Sequence, residues 1–299
     1  MNYDYYRIFY YVGKHKNITR AAAELYSSQP ALTRAIQNLE TELGCRLFIR
    51  TKNGVEFTSE GQQLYEYVNI AHNQLLKGEE EIGQAISLEG GTIRIGSSVT
   101  ALHNFLFPVL DDFRYVYPGI KFKITTGSNN GTIEKLKKGL IDLAFVSTPF
   151  NHTKSLTTLT VAKFNDILIA GNNFSHLKDK TLTLADIKNY PFICLRNGMQ
   201  LRQFIDEAFI ENDLTATPDI ETDGADIMVS MICHNFGLGF APQGMAETAI
   251  RQGMAFRIRL DNELPERSIC MVYDPDHPLS NASREFSRIV KCKVTTDKK

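Results

Sequence analysis

The sequence predicts an α/β chain in three parts: a small helical head closed by a β-hairpin, one long helix, and a larger body of strands alternating with helices. Three observations predict it. Apolar residues near the start recur at helical spacing between cap and turn residues. An apolar seam of heptad type follows. From residue 91 onward, short β-rich runs alternate with amphipathic stretches.

In the head, Tyr5, Ile8, Phe9 and Val12 recur at i, i+3, i+4 and i+7, which predicts a helix over 4–15. A second, short helix is expected over Arg20-Ala21-Ala22-Ala23-Glu24-Leu25, capped by Thr19. Ser27-Ser28-Gln29-Pro30 breaks the chain and restarts it, because serine caps a helix and proline is tolerated in a first turn. The third helix runs to Leu43 and stops at Gly44. Leu32, Ile36, Leu39 and Leu43 are spaced to face a core, and Gln29, Thr33, Arg34, Gln37 and Asn38 occupy the other side.

That polar side offers a guanidinium, amides and a hydroxyl, with no carboxylate before Glu40. Arginine reads guanine and Asn or Gln reads adenine in a major groove. A plain solvated face carries similar residues; the short helix and tight turn before it favour helix–turn–helix geometry. Asn53-Gly54 between β-formers predicts a hairpin, flanked by Arg50 and Lys52. A basic hairpin beside such a helix is a wing suited to phosphates or the minor groove. Charge agrees in direction: residues 1–58 carry a net +3, 59–90 a net −5 and 91–299 a net +1.

Ser59-Glu60-Gly61-Gln62 has a capping-box pattern. Leu64, Val68, Ala71, Leu75, Gly78, Ile82 and Ala85 then alternate spacings of four and three, the seam of a dimerisation helix. Packing on the chain's own core remains an alternative, since the seam has small residues. Glu89-Gly90-Gly91 ends the element.

The segments Asn17-Ile18-Thr19-Arg20-Ala21-Ala22-Ala23-Glu24-Leu25, Ser28-Gln29-Pro30-Ala31-Leu32-Thr33, Ile36-Gln37-Asn38-Leu39-Glu40 and Leu43-Gly44-Cys45-Arg46-Leu47-Phe48-Ile49-Arg50 resemble the winged helix–turn–helix of LysR-type transcriptional regulators. The resemblance is dense over 1–62 and looser to about 292. It implies double-stranded promoter DNA as a partner, met by Ser28, Gln29, Pro30, Thr33, Arg34, Gln37, Asn38, Arg50 and Lys52. Many members carry more basic residues at the wing tip, so Arg50 or Lys52 must supply that contact here. The resemblance also implies dimers through the long helix, two of which join as a tetramer.

The resemblance divides the body into two Rossmann-like lobes of periplasmic-binding-protein type around an effector cleft. Residues 1–58 are then the DNA-binding domain, 59–90 the linker and 91–292 the effector domain, with a tail at 293–299. Lobe one is expected over about 91–162 plus 268–292 and lobe two over about 163–267. Ligands of open α/β sheets sit where strands meet helix N-termini. Four such junctions are legible, at 96–100, 127–131, 197–200 and 222–224. They nominate Ser97, Ser98, Thr100, Asn129, Met199, Gln200 and Thr222, with Thr148 after a further strand, for a small polar or anionic effector. Ordinary helix capping accounts for the same residue types.

Other classes fit less well. No GxSxG, P-loop or HExxH pattern occurs, and the seven histidines are scattered, so neither an enzyme nor a cofactor or metal site is expected. His103 is the histidine nearest a candidate residue, Thr100. The five cysteines form no CxxC and read as reduced structural thiols of a cytoplasmic protein. The start lacks a signal-peptide pattern, and no apolar run approaches the roughly 18 residues that span a bilayer. A transport-type solute-binding protein is therefore disfavoured.

Overall fold

The computed structural model describes residues 2–51, 54–84 and 90–296. The chain divides into two compact units, Met1–Ala85 with Lys138–Leu140, and Ile86–Lys137 with Ile141–Lys299.

The first unit holds α1 (Tyr3–His15), α2 (Ile18–Glu24), α3 (Gln29–Leu43), the hairpin β1 (Phe48–Thr51) with β2 (Gly54–Phe57), and α4 (Ser59–Gln84). Ser28 caps α3 by accepting from the Ala31 N–H, and Pro30 sits in the first turn. Gly44, at φ +71°, ends it in the left-handed conformation that costs a side chain most. Two caps differ from the sequence reading. Asn17, not Thr19, caps α2, with its Oδ1 accepting from the Arg20 N–H. Thr58, not Ser59, caps α4: its Oγ1 accepts from the Gly61 N–H while donating to the Arg46 carbonyl. A third correction concerns Leu43, which is 42% exposed because it falls past the end of the core contact.

Phe9, Val12, Leu32, Leu39, Leu47 and Phe48 form the head's core, and Val68 of α4 joins it. The linker seam therefore has two fates. Leu64 and Val68 pack on the head, whereas Ala71 and Leu75 are exposed. Ala85 lies outside the described residues.

The second unit has two sheet systems. The first comprises β3 (Gly91–Ser97), α5 (Val99–Ala101) continuing through a π-turn into α6 (Phe107–Val116), β4 (Ile120–Thr126), α7 (Asn129–Lys137), β5 (Leu143–Ser147) and β6 (Thr157–Phe164). The second comprises β7 (Asp166–Gly171), β8 (Thr181–Leu182), β9 (Ile193–Leu195), α8 (Gln200–Ile210), β10 (Ile220–Thr222), α9 (Ala225–Cys233), β11 (Leu238–Pro242), α10 (Gln243–Arg251), β12 (Ala255–Arg257) and β13 (Arg259–Leu260). The chain then returns to the first with β14 (Arg267–Tyr273) and α11 (Asn281–Thr296).

The first lobe is a five-stranded sheet of order β4-β3-β5-β14-β6. β3 is parallel to β4 and β5, and β14 runs antiparallel to its neighbours. Ile93, Ile95, Phe113, Phe145 and Phe286 fill its core. Buried Asp142 holds α11 there, accepting from the Arg94 N–H at 2.9 Å and from Ser283 Oγ at 3.0 Å. In the second lobe β7 lies between β11 and β12 and is antiparallel to both, while β9 and β10 pair in parallel. β7 is apolar throughout after Asp166, as a strand covered on both faces must be.

The chain passes between sheets at Asn165 and again before Arg267, a few residues later on the outward pass than the sequence reading placed it. Among the described residues, no helix is long and apolar enough to cross a membrane.

Candidate functional site

The head presents one polar surface. Gln29, Pro30, Arg34 and Gln37 of α3 are exposed and Thr33 is half-buried. Ser28 is engaged as the cap, and Gln29 Oε1 accepts weakly from Thr19 Oγ1 at 3.4 Å. Asn38 turns away: its Nδ2 donates to the Tyr5 hydroxyl at 3.1 Å and ties α3 to α1. It acts as a strut between helices, which the side-chain count in the sequence did not reveal.

The hairpin is held against α3 by a carboxylate. Glu40 Oε1 accepts from the backbone N–H groups of Leu47 at 2.8 Å and Phe48 at 3.2 Å. At its other edge, the Val55 N–H donates to the Lys16 carbonyl at 2.9 Å. Gly54 makes that approach possible, at φ +144°, since a Cβ there would meet the Lys16 oxygen at 2.3 Å. Between α3 and the hairpin lies a groove of about 480 Å³ whose lining includes Thr33, Gln37, Arg46 and Arg50. Arg50 is exposed beside it, and Lys52 lies outside the described residues.

The body holds a cleft of about 680 Å³ between the two sheet systems. Of the nominated residues, Ser98, Thr100, Asn129 and Met199 line it. Their freedom differs. Ser98 Oγ accepts from the Ala101 N–H. Asn129 is locked to strand β5, with its Oδ1 accepting from the Ser147 N–H and its Nδ2 donating to the Ser147 carbonyl. Thr100 is 7% exposed, and its hydroxyl has no hydrogen bond among the described residues.

Three nominated residues do not reach the cleft. Ser97 is fully buried and donates to the Ser98 carbonyl. Thr148 Oγ1 accepts from the Ser268 N–H and joins two strand ends. Thr222 Oγ1 donates to the Gly224 carbonyl. In each case a backbone group claims the hydroxyl first: a near neighbour for Ser97 and Thr222, and the Ser268 N–H, 120 residues away, for Thr148. Gln200 is the first residue of α8, and its side chain lies outside the described residues. His103 stacks edge-on against Phe107, away from the lining.

The cleft also contains groups the junction rule missed. Ser128, Asn130, Ser147 and Asn197 add polar atoms, while Val99, Leu201, Ala225 and Ile227 add apolar wall. Arg196 pairs with Asp223 at 3.0 Å, both largely exposed. Arg267, only 3% exposed, donates from Nη1 to Asp166 at 2.7 Å. Burial pushes the Asp166 carboxyl up, and the Arg267 guanidinium opposes that shift.

Cys194 and Cys270 are buried core thiols, whereas Cys45 and Cys233 are half-buried and Cys292 is exposed. Burial pushes Cys194 up to about 11 and raises Cys270 as well. Among the described residues, no cluster of three His, Cys, Asp or Glu groups is placed to hold a metal.

Comparison with known proteins shows the family. The family model for the LysR substrate binding domain matches residues 87–294, and that for the bacterial regulatory helix-turn-helix protein, lysR family, matches 3–62. The chain is 27% identical over 274 residues to the HTH-type transcriptional regulator IlvY of Escherichia coli (strain K12), covering 88% of this chain and 91% of that one. It is 25% identical over 291 residues to the HTH-type transcriptional regulator CzcR of Bacillus subtilis (strain 168), covering 95% of each. The fold matches full-length CbnR complexed with its target DNA, at TM-score 0.74 and 19% identity, over 98% of this chain and 100% of that one. It also matches the Vibrio cholerae virulence activator AphB, at TM-score 0.60 and 18% identity, over 98% and 99%. With helix–turn–helix and substrate-binding models covering both units, the chain belongs to the LysR family of DNA-binding transcriptional regulators.

Proposed function

We propose that residues 1–58 read a promoter site, that the following helix pairs two chains, and that residues 91–292 sense a small polar or anionic metabolite. Arg34 and Gln37 of α3 read base edges, and Arg50 with Lys52 grips phosphates along the adjoining groove. Thr33 and Gln29 contribute at the helix start. The chain acts in the cytoplasm as a regulator, without catalysis of its own, and two dimers assemble as a tetramer.

The observation that carries this reading is the pairing of an exposed, carboxylate-free face on α3 with a cleft between two sheet systems that Ser98, Thr100 and Met199 line. A ligand in the cleft that bonds the Thr100 hydroxyl, which makes no hydrogen bond among the described residues, gains a directional contact there. Ser98 and Met199 border the same space. Closure around a ligand changes DNA binding only through a preference for one lobe arrangement, typically ~1–3 kcal/mol of coupling.

The test is a gel shift of genomic promoter fragments with excess random DNA, followed by metabolite titration of the fragment that binds. Specific binding that a metabolite alters supports the reading. Equal affinity for every sequence overturns it.

A further inference from the structure

The second unit contains a buried ion pair at the point where the chain passes between its two lobes. Asp166 opens β7, the first strand of one lobe, and Arg267 opens β14, the returning strand of the other. Their side chains are 0% and 3% exposed. The guanidinium lies between two rings, 5.0 Å from Phe164 of the first lobe and 5.1 Å from Phe204 of the second. Its Nε donates to the Thr148 carbonyl at 2.6 Å and its Nη1 to Asp166 Oδ2 at 2.7 Å.

The third arm is different. Nη2 has one long contact among the described residues, 3.4 Å to Ser147 Oγ, and both Arg267 and Ser147 line the cleft. A contact of that length is a weak hydrogen bond. Asp166 Oδ1 is likewise buried without a partner among the described residues. A pair that is fully buried yet incompletely bonded is costly as a purely structural device.

The charges around the cleft narrow the ligand. Arg196 is matched by Asp223, Arg267 is matched by Asp166 behind it, and Asp226 adds a negative charge at the rim. The lining therefore offers no net positive field. An anion held here needs a directed donor, and the flat edge of a guanidinium fits a planar carboxylate. The apolar wall of Leu201, Ala225 and Ile227 suits a short carbon body attached to it.

We propose that Arg267 senses the carboxylate of a small monocarboxylate in the cleft, through Nη2, and transmits its presence to the inter-lobe crossing through Asp166. This rests on the reading of the cleft as the effector site. Arg267 is both ligand contact and hinge member, so occupancy changes the bonding of the residue that opens β7. Such a shared element can bias a lobe equilibrium.

The experiment is a thermal shift of the full-length chain with short monocarboxylates, their primary amides and inorganic phosphate. At least one acid is expected to raise Tm where its amide does not. Arg267→Lys keeps the charge beside Asp166, so it should fold, but it lacks the outer arm and should lose the shift. Asp166→Asn leaves Nη1 an amide oxygen and removes the neutralising charge. It should bind the same acid severalfold more tightly, an effect that a merely structural pair would not give. The proposal is overturned if amides act like their acids, if phosphate stabilises and no acid does, if no probe shifts the wild type, or if Arg267→Lys responds normally. A metabolite that alters operator binding in both wild type and Arg267→Lys would leave the cleft reading standing and remove this one alone.

Discussion

Glu40 on the recognition helix accepts the backbone N–H of Leu47 at 2.8 Å, so the wing is fastened to the helix by one carboxylate oxygen that also takes the N–H of Phe48. Truncation to Glu40→Ala strands two N–H groups in a partly buried place. A loss of about 1–3 kcal/mol in denaturant unfolding is expected. DNA affinity should fall for specific and random sequences alike, because the wing loses its register. Glu40→Gln should recover part of both. Unchanged stability in Glu40→Ala would show that the strand is held without the carboxylate.

Arg34 and Arg50 are both exposed but sit on different elements, α3 and β1. Arg34→Ala should cost about 1–3 kcal/mol at the specific site and relax the base preference there. Arg50→Ala should weaken all sequences similarly and reduce the salt slope by about one. Affinities over a range of salt concentrations on operator and scrambled DNA separate the two. Identical behaviour of the two variants would remove the division between base reading and phosphate contact.

Pairing of two chains through α4 is testable at Leu75, which is 49% exposed. Leu75→Glu should lower the assembly state in sedimentation with little loss of head stability. Val68→Glu is a poor test of the same idea: Val68 is 8% exposed within the head's own core, so a charge there should unfold the head. An unchanged sedimentation coefficient for Leu75→Glu at low concentration would exclude the exposed seam as the contact.

His72 of α4 is buried, with its ring centroid 4.1 Å from that of Tyr10, and neither ring nitrogen has a hydrogen bond among the described residues. Burial holds its pKa below the usual 6.5, assisted by Arg7 and Lys14 and opposed by Glu79. A depressed histidine stabilises the fold above its unfolded pKa. That contribution is lost as pH falls from 6.5 toward the folded value. Head stability should therefore drop below about pH 6.5, and His72→Phe should flatten the drop. Matching pH–stability curves for wild type and His72→Phe would dismiss the histidine as the cause.

Thr100→Val keeps the side-chain shape and removes one donor and one acceptor. If the hydroxyl bonds the effector, the metabolite-induced change in operator affinity should shrink by about 0.5–1.5 kcal/mol. Titration of operator binding with the inducing metabolite measures this. A wild-type response would reduce Thr100 to a residue of the helix start.

Local patterns made the head legible. The apolar positions of α1 and α3, the Ser28 cap, the Gly44 stop and the pairing of Phe48–Thr51 with Gly54–Phe57 follow short-range signals, each set by a few neighbours. The misplaced caps show where such signals stop. Thr19 and Asn17 can both cap, as can Ser59 and Thr58, and nearby candidates are chosen by what else they reach. Thr58 prevails where its hydroxyl also bonds the Arg46 carbonyl, twelve residues away.

The cleft was half legible for the same reason. Strand ends named Ser98, Thr100, Asn129 and Met199, but also Ser97, Thr148 and Thr222, whose hydroxyls are taken by backbone groups of Ser98, Ser268 and Gly224. Arg267 was expected near the crossing only from the family resemblance, and no local pattern pointed to it as a cleft residue. Its partners Thr148 and Asp166 are 119 and 101 residues away in the chain, and nothing around position 267 marks it as buried.

The sequence by itself determined the family, the order of head, long helix and body, and the polar face of α3, because propensity, periodicity and capping act within a turn or two of the chain. Tertiary structure alone decided that Asn38 braces α1 while Arg34 stays exposed, that Val68 belongs to the head and Leu75 to the exposed seam, and that Arg267 meets Asp166 at the cleft. Those outcomes depend on burial and on hydrogen bonds between distant segments, and both exist only once the chain has closed on itself.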